Sequence, residues 1–167
     1  MRYGVQEYRL PERVLELDLK RITSLPIDVK TGLPIQEGQL LKDFMAQGYD
    51  ALLLAIGLPK SRILNVEGSN SPDVIGGLDL LRDFRLGRDV KVKDRVLVVG
   101  GGNVAMDVAL TALRLGAEQV QAVCLEKWEE MPAFPWEIQQ AVEEGVQILN
   151  SWGVKRVLVG SSGEVKG

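Results

Sequence analysis

The chain has 167 residues, of which 46% are hydrophobic and 26% charged, and a formal net charge of −3; that suffices for one globular domain, or one with a piece of another, and gives no basic footprint for nucleic acid or an anionic membrane. No apolar run approaches the roughly 20 residues that span a bilayer, and the N-terminus has no signal-peptide core, so the expected compartment is the cytoplasm. With no histidine and one cysteine, Cys124, a histidine-based triad, the usual zinc sites and a two-cysteine redox pair are excluded within these residues, and catalysis has to come from a bound cofactor.

Residues 1–10 read as an irregular lead-in containing Arg2, Tyr3, Tyr8 and Arg9, an arm expected to be exposed and mobile without a neighbouring domain. Pro11 suits a first helical turn, and Val14, Leu17, Leu19 and Ile22 are among the apolar positions of a helix that ends before Pro26. Residues 27–31 predict a short strand, Gly32-Leu33-Pro34 a turn, 39–47 a short helix capped by Gly48, and the apolar run 50–56 a strand broken by Gly57. The stretch 58–77, rich in Pro, Gly, Ser and Asn, marks a boundary between segments 1–57 and 58–167.

Past the boundary, 78–86 predicts an amphipathic helix ended by Gly87. Arg95 to Val99 is a buried strand that runs at once into Gly100-Gly101-Gly102-Asn103-Val104-Ala105, and a helix follows from Val104 to Leu115, stopped by Gly116. Strand, glycine turn and helix in this order form the arrangement that grips a dinucleotide pyrophosphate. Gly100 permits the tight turn, Gly102 lets the backbone approach the phosphates, and Ala105 keeps helix and strand close. The N–H groups opening the helix, at Asn103 and Val104, face the diphosphate with the positive end of the helix dipole behind them. Asp107, early in that helix, reads simply as an acid favourable to the dipole.

The next strand, Gln119 to Leu125, ends at Glu126, where a carboxylate can accept from the ribose hydroxyls and repel a 2′-phosphate. NAD(H) is therefore expected in preference to NADP(H), with the adjacent Lys127 partly offsetting that charge. Trp128, Phe134 and Trp136 around Met131-Pro132 read as a packed local cluster in preference to an adenine cover. A helix over 137–144 ended by Gly145, a strand over 146–150 and a hairpin over 154–167 complete the chain, the last lacking most of its second strand. The fold class is α/β: a Rossmann-like, doubly wound parallel sheet with flanking helices.

The sequence resembles the small subunit of glutamate synthase and its relatives, which include dihydropyrimidine dehydrogenase and ferredoxin-linked NAD(P)H oxidoreductases. The resemblance is carried by Arg2-Tyr3-Gly4-Val5-Gln6-Glu7-Tyr8-Arg9-Leu10-Pro11, Tyr49-Asp50-Ala51 with Ala55-Ile56-Gly57, Gly100 to Asp107, Thr111-Ala112-Leu113-Arg114-Leu115-Gly116-Ala117 and Glu129-Glu130-Met131-Pro132-Ala133. It implies a flavin-dependent oxidoreductase in which hydride passes from NAD(P)H to FAD and electrons go on to iron–sulfur centres, with an iron–sulfur or large catalytic subunit as partner. By the same resemblance residues 100–105 hold the pyridine nucleotide and residues 1–57 derive from the flavin domain. Gly57 marks the strand end approaching the flavin side, or is a plain strand terminator. The family's flavin fingerprint upstream and its final flavin-contacting segment downstream are not in these residues, so the chain reads as an excised nucleotide domain with flavin-domain remnants, inactive alone. NADP-using members carry arginines where this chain has Cys124-Leu125-Glu126, which again favours NAD. Two other readings stay open: an S-adenosylmethionine-dependent methyltransferase, which also uses a glycine turn and a strand-end acid, and a nucleotide-binding module without catalysis.

Overall fold

The computed structural model describes residues 2–34 and 41–166. Two compact units make up the chain, Met1–Glu12 with Lys60–Gly167, and Arg13–Pro59. Helix α1 spans Glu12–Thr23, with Glu12 in its first turn and Lys20 and Arg21 in its last, the charge order that the helix dipole favours. Helix α2 is Leu41–Met45; the start of the helix expected over 39–47 lies outside the described residues.

Neither strand expected before Gly57 forms. Residues 27–31 and 51–56 have no regular structure, and Leu53 and Ile56 are 89% and 75% exposed. A strand needs a partner for its N–H and C=O groups, and the described part of Arg13–Pro59 contains no sheet, so apolar composition alone does not make these runs strands.

The larger unit carries helix α3 (Gly77–Arg85), strand β1 (Arg95–Val99), helix α4 (Asn103–Arg114), strand β2 (Gln119–Val123), a 3-10 turn over Trp128–Glu130, helix α5 (Pro135–Glu143) and strand β3 (Gln147–Leu149). The three strands form a parallel sheet in the order β1-β2-β3, with Val98 opposite Ala122 and Ala122 opposite Ile148. This is an α/β fold of parallel strands joined through helices. Helix α4 packs on β1 and β2, with α3 and α5 against its flanks, so every residue from Ala105 to Ala112 is buried. Alanines at 105, 109 and 112 share one helix face at the spacing that keeps a helix close to its neighbour, and Met106 and Leu110 fill the core beside them.

Among the described residues, α4 packs on one face of the sheet. Val96 and Val98 lie on the packed side of β1, whereas Leu97 and Val99 point the other way and are half exposed, as is Leu149 on β3. Beyond β3, the hairpin over 154–166 forms through a Val159–Val165 antiparallel bridge, and a parallel bridge joins Arg156 to Glu67.

Candidate functional site

The ladders continue past the named strands. Gly100 N–H donates to the Val123 carbonyl at 2.8 Å, and Cys124 N–H to the Leu149 carbonyl at 3.1 Å. The glycine turn and residues 124–126 thus end side by side on the C-terminal edge of the sheet, the edge where parallel α/β sheets bind their ligands.

The three glycines of the turn differ in what surrounds them. Gly100 has φ +139°, which L side chains rarely adopt. A Cβ on Gly101 would stand 2.9 Å from the Cys124 Cβ and 3.2 Å from Glu126 Oε2. The Glu126 carboxylate is therefore turned toward the turn, beside Gly101. Gly102 has ordinary extended backbone, φ −95° and ψ 174°, and caps α4 without a side-chain bond, yet a Cβ there would meet nothing within 4 Å. The open space in front of the turn lies at Gly102, where the first N–H groups of α4 emerge unpaired within the helix.

Of the other expected residues, Ala105 is buried against Gly100, while Val104 is half exposed and Lys127 exposed. The side chain of Asn103 does not face the open space: its Oδ1 accepts from Phe134 N–H at 2.8 Å. Gly57 lies in the other unit, at φ +67° with open space around it. Cys124 is a buried small residue whose thiol pKa is raised by burial, with the Glu126 charge adding to it.

The segment from Met131 to Phe134 is strapped to the turn, since Ala133 N–H donates to the Gly101 carbonyl at 3.0 Å as well as Phe134 to Asn103. Asn150 Nδ2 and Ser151 N–H both donate to the Glu126 carbonyl, which fixes the backbone from which the carboxylate projects. Only two of the three aromatics cluster. Phe134 and Trp136 stack with centroids 4.5 Å apart, but Trp128, 48% exposed, lines a separate groove with Met131, Pro135 and Ile138.

One set of charged residues is not readable from local sequence. Arg9, expected to be exposed, keeps only 19% of its side-chain exposure. Its Nε donates to Asp107 Oδ1, and Nη1 lies 3.1 Å from Glu137 Oε1. Tyr8 Oη also donates to Asp107 Oδ1, at 3.0 Å, while the Arg114 guanidinium sits 4.1 Å from the Tyr8 ring centroid. Burial, together with Asp107, raises the Tyr8 phenol to about 12. Burial also raises the Glu137 carboxyl, the attraction of Arg9 notwithstanding; its Oε2 is buried without a partner. Among the described residues, no group of His, Cys, Asp and Glu converges on a metal site, and no helix is long and apolar enough to cross a membrane.

Comparison with known proteins gives these features a context. The family described as "Pyridine nucleotide-disulphide oxidoreductase" matches residues 20–163. The chain is 36% identical over 98% of its length to the NADPH-Fe(3+) oxidoreductase subunit beta of Geobacter sulfurreducens, covering 25% of that protein. It is 36% identical to the NADP(+)-dependent formate dehydrogenase subunit beta of Moorella thermoacetica, over 98% of this chain and 23% of the relative. For the NAD-dependent dihydropyrimidine dehydrogenase subunit PreT of Escherichia coli (strain K12) the identity is 32%, over 91% of this chain and 36% of the relative. The chain thus spans between about a quarter and a third of these relatives' lengths. Among solved structures, Mycobacterium tuberculosis FprA in complex with NADPH superposes with a TM-score of 0.64 and 22% identity, over 86% of this chain and 38% of that one, a likeness of fold.

Proposed function

The chain belongs to the pyridine nucleotide-disulphide oxidoreductase family, and from that premise we propose that residues 58–167 hold the pyridine nucleotide of a flavin-dependent oxidoreductase. The observation that carries the reading is the pairing of open space at Gly102 with a carboxylate beside Gly101. Both parts fit a dinucleotide: N–H groups at the start of α4 for the diphosphate, and an acceptor for the ribose diol about where an extended dinucleotide places it. A bound nicotinamide supplies hydride, and by family resemblance the acceptor is FAD, with iron–sulfur centres and a larger subunit beyond. This sequence contains a single, buried cysteine, so a dithiol of its own is not the acceptor. Of residues 1–57, which by resemblance derive from the flavin domain, the first twelve pack with the nucleotide unit and the rest are assigned to the flavin side of the whole protein, with Gly57 at its edge, and the compartment to the cytoplasm.

Within this reading the chain favours NADH. Glu126 accepts from a free 2′-hydroxyl and repels a 2′-phosphate, with Lys127, adjacent in sequence, offsetting that charge in part. Two of the relatives above carry NADPH or NADP(+) in their names and one carries NAD, so the cofactor named varies among relatives.

Gly102→Ala tests the assignment. Its backbone angles suit alanine and the Cβ meets no protein atom, so thermal stability should change by no more than about 1 kcal/mol, the gain from a stiffer unfolded chain opposed by alanine's poorer fit at a helix N-cap. The added methyl enters the ligand space, so titration calorimetry should show NADH affinity falling at least about tenfold. Unchanged NADH affinity in the variant would overturn the site. NADPH binding more tightly than NADH to the wild type would overturn the Glu126 role, and stabilisation by S-adenosylmethionine without stabilisation by NADH would overturn the enzyme class.

A further inference from the structure

Beyond the glycine turn, two helix starts are joined by a residue from the far end of the sequence. Asp107 lies one turn into α4 and Glu137 is the third residue of α5. Both side chains are nearly buried, 13% and 10% exposed, and both bind one guanidinium, that of Arg9. We propose that Arg9 is a positioning residue for the nucleotide site, holding the α4 and α5 starts at the spacing that keeps the turn and its strap in binding geometry. The inference rests on the nucleotide reading above and adds to it how the site is held.

The connection is short, covalent along the chain and hydrogen-bonded between strap and turn. Glu137 follows the strap by three residues, and the strap hangs on the turn through Ala133 N–H to the Gly101 carbonyl and Phe134 N–H to Asn103 Oδ1. Asp107 is five residues past Gly102, within the helix whose opening N–H groups face the ligand. A shift of α5 relative to α4 therefore bears on these two hydrogen bonds, which end on Gly101 and Asn103 of the turn. Without Arg9, two nearly buried carboxylates would face each other across the joint, and like charges in that setting push apart.

The clamp is also not built for maximum stability. Arg9 Nη2 and Glu137 Oε2 are buried without hydrogen-bond partners, and a buried ionic cluster with orphaned atoms is a poor source of net stability compared with apolar packing. Its planar fork does, however, fix the direction and separation of two acceptors at once, which an apolar contact does not. Tyr8 shares the Asp107 oxygen and is itself covered by Arg114, so the arm that carries Arg9 is held in place by more than one contact.

The test uses the full chain as wild type, Arg9→Met, Arg9→Lys and a control, Arg88→Met, which removes an exposed ion pair to Asp83. Calorimetric titration with ADP and NADH is combined with amide hydrogen exchange. Arg9→Met should weaken both ligands about tenfold and Arg9→Lys about threefold, since lysine keeps the charge and loses the fork, with the control at wild-type affinity. Exchange at Ala133 and Phe134 should quicken in Arg9→Met while Val98 and Ala122 in the sheet keep their rates. Wild-type affinity in both Arg9 variants, or exchange quickened equally in strap and sheet, would overturn the proposal in favour of a purely structural anchor. Should the methionine variant not fold, Arg9→Lys decides alone: wild-type ADP affinity overturns, a severalfold loss supports. Failure of the wild type to bind ADP or NADH would overturn the nucleotide reading itself, and is seen before any variant is compared.

Discussion

Glu137 sits where three effects compete. Burial raises its pKa, Arg9 lowers it, and Asp107 raises it, with burial the largest and the net shift upward from the ordinary 4.5. The folded chain therefore holds this proton more tightly than the unfolded chain does, so the contribution of the group to stability is fully present at low pH and is lost as pH rises through the interval above the ordinary value. Glutamine cannot ionise and should show no such loss. Thermal melts of wild type and Glu137→Gln should start nearly level at about pH 4 and diverge in favour of glutamine by about pH 7. A constant difference across that range would mean the carboxyl is not shifted. The turn at Gly100 and the closeness of Ala105 to it were legible in the sequence because both depend on backbone geometry within six consecutive residues, whereas the crowding at Gly101 comes from Cys124 and Glu126 of the following segment. Asp107 was not: its partners Tyr8 and Arg9 are 99 and 98 residues away, and an acid early in a helix has a sufficient local explanation in the helix dipole.

Helix α4 shows at the scale of the element what periodicity can and cannot reveal. Its small residues and its glycine stops make the helix plain, and the run of buried positions from Ala105 to Ala112 follows from packing between sheet, α3 and α5. Leu110→Ala removes a fully buried side chain at the centre of this arrangement and should cost about 2–5 kcal/mol in denaturant unfolding. Leu53→Ala, in a run with a similar apolar appearance, should cost less than about 0.5 kcal/mol, because Leu53 is 89% exposed. Equal costs would place residues 50–56 in a core. That contrast explains why the strand expected there did not form while β1 did: both are apolar, but only β1 has a neighbouring strand to satisfy its backbone and a helix to cover one face. Pairing is a property of distant segments and is not written in the run itself.

At the scale of the molecule, the glycine turn, the strap and the Arg9 joint all lie in the unit of Met1–Glu12 with Lys60–Gly167. Residues 2–12 contribute to that unit from the other side of a 47-residue intervening segment, Arg13–Pro59, so the proposed nucleotide site and its support are assembled from two separated stretches. Composition and the long polar loop before Gly77 pointed to a division of the chain. They carried no sign of the return contact, because the residues that make it, Gln6, Tyr8 and Arg9, look like any amphipathic arm until their partners are known. Gln6 is wholly buried and donates to the Leu81 carbonyl at 3.2 Å, which ties that arm to α3 as well.

The side of the sheet away from α4 bears on how the polypeptide behaves in a test tube. Leu97 and Val99 on β1 and Leu149 on β3 leave an exposed oily stripe on either side of β2, whose Val123 is itself buried, and such stripes recruit dyes, detergents and each other. Anilinonaphthalene sulfonate should fluoresce with the native chain, and the double change Leu97→Gln with Leu149→Gln should dim that signal and keep sedimentation profiles monodisperse at higher concentration, with little loss of melting temperature. A dark native chain would mean that the stripe is shielded in solution. Handling of the protein, from buffer choice to tag placement, then turns on a surface that has no part in gripping phosphate.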